Sequence, residues 1–300
     1  MGFLDSFLGG KKEVSVATGA FQPLVDAMVD VLGPEIADAR DFEPKITSAL
    51  TMATRYLDEQ VGRIPGILSI AAGSYATDPY LRAVFPDVAD IPAALGRSVE
   101  VRDALPERAK QGSARVCALM GVRHRDRLQA QPSEHIVFAD HTLACIAPDE
   151  ASARTAIRDA ACRRIFKMYH EHLEKLRHKG KLLPEEWNIE NVTLQDDGHA
   201  KARHMIFDDY VYAEKELTPD NLLRGLVAWL ERPFDQFRLT EGSQMVMAGA
   251  ANGQGTSRIE VPTIVIADRR RWMAILVEFS VSEGMAALNQ EPRSHRYIVI

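Results

Sequence analysis

Asp140 and His141 stand side by side in residues 135–146, a run that reads as strand, and they form the most suggestive acid–imidazole pair of the chain. A carboxylate can orient an imidazole that takes a proton near neutral pH, and Cys145 or Ser133 would then act as the nucleophile. Adjacent strand side chains face opposite ways, so a direct relay from Asp140 to His141 requires a turn or a bulge. A second concentration comprises Asp196, Asp197, His199, His204, Asp208 and Asp209. Its Asp196-Asp197-Gly198 stretch is a hairpin signal, and Asp208-Asp209 offers oxygen ligands suited to a hard cation. Joining the two groups gives an enzyme reading: a hydrolase or transferase in which Asp140, His141, His204 and Asp208 converge, with His141 or His204 as general base.

Other polar clusters carry less chemistry. His170, His172 and His178 share one helical stretch, but His170 and His172 project about 160° apart on a helix. They lack the i, i+4 spacing by which two helical histidines face one metal. His172 falls on the apolar stripe and is expected at an interface or in the core, and His178 in solvent. The glycine-rich stretch 249–257 contains no lysine at the phosphate-binding position and opens no helix, so it reads as a hairpin connection. No metal and no cofactor are expected. Cys117, Cys145 and Cys162 are an odd set without close pairing and with apolar or alanine neighbours. They read as buried thiols of a reducing compartment, with the cytoplasm as the expected location.

The basic residues suggest binding instead. Arg158, Arg163, Arg164 and Lys167 lie on one long helical stretch, and Arg269, Arg270 and Arg271 form a run at a strand junction. Such a set suits an acidic protein face or phosphate. Residues 111–182 carry a basic excess, whereas the stretches on either side are acidic. With 36 Lys and Arg against 42 Asp and Glu, the chain as a whole is net -6, which argues against a dedicated nucleic-acid protein. The opening Met1-Gly2-Phe3-Leu4-Asp5-Ser6 meets a loose myristoylation pattern, and its apolar residues are too few for a membrane span. No transmembrane segment is expected.

The elements that must hold these groups can be read from periodicity. Phe21, Leu24, Val25, Met28, Val31 and Leu32 repeat at helical spacing up to Gly33-Pro34. Ile46, Leu50, Ala53, Leu57 and Val61 repeat likewise up to Pro65-Gly66, and short helices are expected from Asp78 and after Ile91. A long helix is expected over 149–179, with Ile157, Ala161, Ile165, Met168, His172 and Leu176 on its apolar stripe and Gly180 as its cap. Val192-Thr193-Leu194 and Met205-Ile206-Phe207 read as hairpin arms, and Thr218-Pro219-Asp220 starts another helix. Strands are expected at 238–248, 259–266, 272–277 and 297–300, with Pro262 marking an edge or interrupted strand.

The fold expected is therefore α+β: a helical N-terminal portion packed with a mixed, largely antiparallel sheet, and one long central helix. Residues 1–115 would form the mainly helical portion and 116–300 the α+β portion, unless the two form one continuous domain. With 46% apolar and 26% charged residues, composition excludes fibrous and disordered chains. The function expected is noncatalytic: a cytoplasmic protein that binds a macromolecule or assembles, through the basic helix surface or an exposed sheet edge. Its partner would be another protein or a second copy of the chain, with nucleic acid the lesser candidate.

Overall fold

The computed structural model describes residues 16–125, 137–193, 217–247, 257–266 and 271–290. The fold is α+β, as the periodicities require. The chain groups into two compact units, residues 1–53 with 165–231, and residues 54–164 with 232–300. Residues 115 and 116 both belong to the second unit.

The first unit is helical. α1 (Gln22–Leu32) carries Pro23 in its first turn, where a missing N–H costs nothing, and buries Leu24, Val25, Met28 and Leu32. Gly33, at φ 101°, donates its N–H to the Val29 carbonyl and turns the chain by a conformation that favours glycine. α2 (Phe42–Gly62) begins in this unit and buries Phe42, Ile46 and Leu50 there. The part of α6 (Glu150–Thr193) beyond Arg164 contributes Ile165, Phe166, Tyr169 and Leu173. α7 (Pro219–Leu230) buries Leu222, Leu223, Leu226 and Leu230, the helical spacing visible in its sequence. Asp220 in its first turn accepts the Arg40 N–H at 2.8 Å.

The second unit holds the sheet. Its order is β3 (Val137–Ala147), β2 (Arg115–Arg125), β6 (Arg271–Ser280), β5 (Ser257–Ile266) and β4 (Phe237–Met247), all antiparallel. The two-residue β1 (Leu68–Ser69) adds to β6 in parallel, which makes the sheet mixed. One face carries Val116, Ala118, Met120 and Val122 from β2 with Met273, Ile275, Val277 and Phe279 from β6. These pack with Leu81 of α3 (Pro79–Val84), Ile91 and Leu95 of α4 (Asp90–Arg97), Val101 and Leu105 of α5 (Val99–Lys110), and Ala287 of α8 (Val281–Gln290). The opposite face is also buried at Cys117, Leu119, Trp272, Ala274 and Leu276. Both central strands therefore read as continuous apolar runs instead of alternating ones. Asp78 caps α3 by accepting the N–H groups of Tyr80 and Leu81. Arg154 of α6 donates to the Val61 carbonyl at 2.6 Å and the Ile64 carbonyl at 3.2 Å, placing a cation on main-chain acceptors at the C-terminal end of α2.

Several expectations are corrected. α6 does not stop at Gly180 but runs through Pro184 to Thr193, so Val192 and Thr193 are helical and not a hairpin arm. A glycine inside a helix costs only about 1 kcal/mol relative to alanine, too little to end one by itself. Residues 281–290 form α8, an element not anticipated from the sequence. The expected edge or interrupted strand around Pro262 is found as an interrupted one: residues 257–261 are paired with β4, and residues 263–265 lie between β4 and β6. Pro262 is accommodated by a register shift opposite Glu241-Gly242, a bulge in which no ladder donor is required of it. On α6 the buried position is Leu173 and not His172, which is exposed. The rest of the expected stripe holds at Ile157, Ala161, Ile165 and Met168, all buried, and it departs at His172, where the buried band passes through Leu173. The 1–6 myristoylation pattern, the 205–207 arm, the 297–300 strand and most of the glycine-rich stretch lie outside the described residues.

Candidate interaction surface

β3 carries two bulges. Gly121 faces Thr142 and Arg123 faces Ala139, so Asp140 and His141 together oppose Val122. The bulge that an Asp140–His141 relay would need is thus present. His141, however, is committed elsewhere. Its Nε2–H donates to the Val84 carbonyl at 2.7 Å, and its ring stacks on Phe85 at 4.4 Å and 14°. A carbonyl only accepts, so Nε2 carries the proton and a general base would have to work through Nδ1. The side chain of Asp140, and the whole of His204 and Asp208, lie outside the described residues, as do Asp196, Asp197, His199 and Asp209.

The second bulge comprises Cys145 and Ile146, opposite Ala118. Cys145 adopts φ 56°, a conformation uncommon for a residue with a side chain. Its N–H donates to Glu100 Oε2 at 2.6 Å. Burial pushes its thiol up to about 12, and the Glu100 carboxylate adds to the rise. Burial likewise lifts Cys162 to about 12, with Asp159 contributing, and raises Cys117. All three thiols are free of disulfides and held protonated at neutral pH, which weighs against Cys145 as the nucleophile of the enzyme reading, while Ser133, the other candidate, lies outside the described residues.

Glu100 itself is raised above its ordinary range, first by burial, with Asp103 adding and the Cys145 N–H opposing. A carboxyl whose folded value exceeds its unfolded one supports folding fully below the unfolded value, and that support is lost as pH rises through the folded value. Glu100→Gln keeps an acceptor for the Cys145 N–H and cannot ionise. Its thermal unfolding midpoint at pH 7 should equal or exceed that of the native chain, with a flatter pH dependence above 4.5, the ordinary Glu value. A clear loss of stability at pH 7 would contradict this origin of the shift.

Each outer strand meets side chains at two of its described positions. On β3, the Leu143 carbonyl accepts from Ser98 Oγ at 3.2 Å, beside the Glu100 contact. On β4, the Phe237 carbonyl accepts from the Tyr56 hydroxyl at 3.1 Å, and the Leu239 N–H donates to Gln60 Oε1 at 3.2 Å. These side chains take main-chain groups that an added strand would use.

The basic residues divide. Arg158 pairs with Asp159 at 2.8 Å and Asp58 at 3.6 Å. Arg164 is 8% exposed and belongs to the interior, so it is no surface contact. Arg163 and Lys167 are exposed. Arg271 begins β6 opposite Val265, and Arg269 and Arg270 lie outside the described residues. Within the first unit, the exposed positions of α6 carry both signs: Lys167 and Lys175 with Glu171 and Glu174.

Sequence reasoning missed an aromatic site in the first unit. Tyr169 is buried, and its hydroxyl donates to the Leu222 carbonyl at 3.0 Å. Trp229 of α7 packs edge-on against it, with ring centroids 5.5 Å apart, and remains half-buried. The exposed His172 ring lies beside Trp229 at 5.9 Å. Half-exposed aromatic rings on a rigid support, rimmed by charge, are typical centres of protein contacts. The signal was present in the spacing of Tyr169 and His172 on one helix and Trp229 on another, but only their packing joins them.

Fold and surface together give an α+β protein with a mixed sheet in its second unit and a partly exposed aromatic cluster on its helical unit. Comparison with protein families, with curated proteins and with solved structures finds no match. Among the described residues, no three metal-ligating side chains gather, and no helix is long and apolar enough to cross a membrane.

Proposed function

We propose that the chain is a noncatalytic protein-binding or assembly protein, and that a partner protein meets the α6–α7 face of its first unit. The observation that supports this reading is the exposed His172 beside the half-buried Trp229, both backed by the immobilised Tyr169. The surrounding exposed charges, Glu171, Lys175 and Arg224, are of both signs and suit a protein better than a polyanion. Arg163 and Lys167 are the expected binding residues that stay available to an acidic partner. The protonated thiols and the tied His141 weigh for binding over hydrolase or transferase chemistry. Three thiols without disulfides fit a reducing compartment such as the cytoplasm.

A photo-reactive side chain placed at position 172 tests the reading in cell extract. The expected result is a protein adduct that survives nuclease treatment, is suppressed by excess unlabelled native chain, and is not suppressed by excess His172→Asp chain. Loss of the adduct on nuclease treatment, equal competition by both chains, or no adduct would overturn it.

A further inference from the structure

We infer that the first turn of α5 latches the outer edge of β3 and prevents that edge from pairing with β3 of a second copy of the chain. β3 ends the sheet, and β2 occupies only its inner side. Along an antiparallel edge, alternate residues turn both main-chain groups outward, and an added strand bonds to them at i and i+2. At Leu143 and Cys145 one such main-chain group each is already taken. Ser98 Oγ donates to the Leu143 carbonyl at 3.2 Å, and Glu100 Oε2 accepts the Cys145 N–H at 2.6 Å. The two helix residues thus present to the edge one donor and one acceptor, two residues apart, as a neighbouring strand would.

The latch is itself anchored. Ser98 is buried and its hydroxyl oxygen also accepts the Val101 N–H at 3.2 Å, so one hydroxyl starts α5 and closes β3. His141, four residues before Cys145, is held by the Val84 carbonyl and the Phe85 ring. The two bulges and the left-handed Cys145 further distort the line that a partner strand would follow. A second copy is the natural occupant once the latch is removed. Every copy carries the same edge, and antiparallel self-pairing of two such edges closes on a two-fold axis.

The test is the double variant Ser98→Ala/Glu100→Ala in the full chain, measured by light scattering over a concentration series and by hydrogen exchange of residues 143–147. At low concentration, exchange at the Cys145 amide should rise more than tenfold. At high concentration a dimer should form beyond any association of the native chain, with protection of that segment restored. Glu100→Gln, which keeps the acceptor, should behave as the native chain does. If the double variant loses its native circular dichroism, Glu100→Ala alone is measured in the same way. Native mass at every concentration, unchanged exchange at Cys145, or a dimer that leaves residues 143–147 unprotected would overturn the inference.

Discussion

Cys145 and Cys162 in the native chain should resist iodoacetamide at pH 8, with alkylation about 1000-fold slower than that of an ordinary thiol. The reactive species is the thiolate, and lifting the thiol from 9.0 to about 12 lowers its population by that factor. For Cys145 the cause is not simple inaccessibility. The residue is half-buried, and the Glu100 carboxylate adds to the burial that disfavours its negative charge. Peptide mass spectrometry of chains alkylated with and without denaturant checks this, because both residues should react at ordinary rates once unfolded. Rapid native labelling of Cys145 would mean an activated thiolate and would restore the nucleophile of the enzyme reading.

Gly225→Ala should destabilise the chain by about 1–3 kcal/mol, the usual cost of forcing extra volume into a packed site. A Cβ at position 225 would collide with the Tyr169 hydroxyl and come within 3.1 Å of Cζ of the same ring. Tyr169 cannot simply swing aside. Its hydroxyl is bonded to the Leu222 carbonyl, and Trp229 braces the ring. Adding Tyr169→Phe, which removes the colliding atom, should recover part of the loss, so the two changes should be non-additive. Denaturant unfolding of both single variants and the double variant measures the coupling. A neutral Gly225→Ala would show that α6 and α7 do not meet as closely as described.

The legible parts of the fold were those governed by local rules. α1, α3 and α7 follow from apolar spacing with Pro in the first turn, and Asp78 caps α3 as its type and position suggest. The strand at 271–280 follows from its apolar run. What escaped the sequence depends on partners far along the chain. A register shift of one residue creates the bulges at 140–141 and 145–146, and no local pattern in β3 announces either. Ser98 and Glu100 look like an ordinary helix start, and only the fold sets them against Leu143 and Cys145, 45 residues later. Arg158 and Arg164 looked like part of a binding face, because composition cannot distinguish a cation that faces solvent from one that holds carboxylates or lies in the interior. The aromatic face was missed for the complementary reason: Tyr169 and Trp229 read as packing groups one at a time, and His172 was assigned inward by a stripe that departs from the buried band there.

The central claim is that His141, the member of the suspected catalytic set whose side chain is described, is spent in holding the second unit together. Long-range 1H–15N NMR of His141 tests it most directly, since the ring nitrogens of the two tautomers resonate far apart. The account predicts the Nε2–H tautomer at neutral pH, with a slowly exchanging proton that is lost when the chain unfolds. An Nδ1–H tautomer, or a ring exchanging freely with solvent, would show that Val84 does not hold His141 and that the imidazole is available for chemistry.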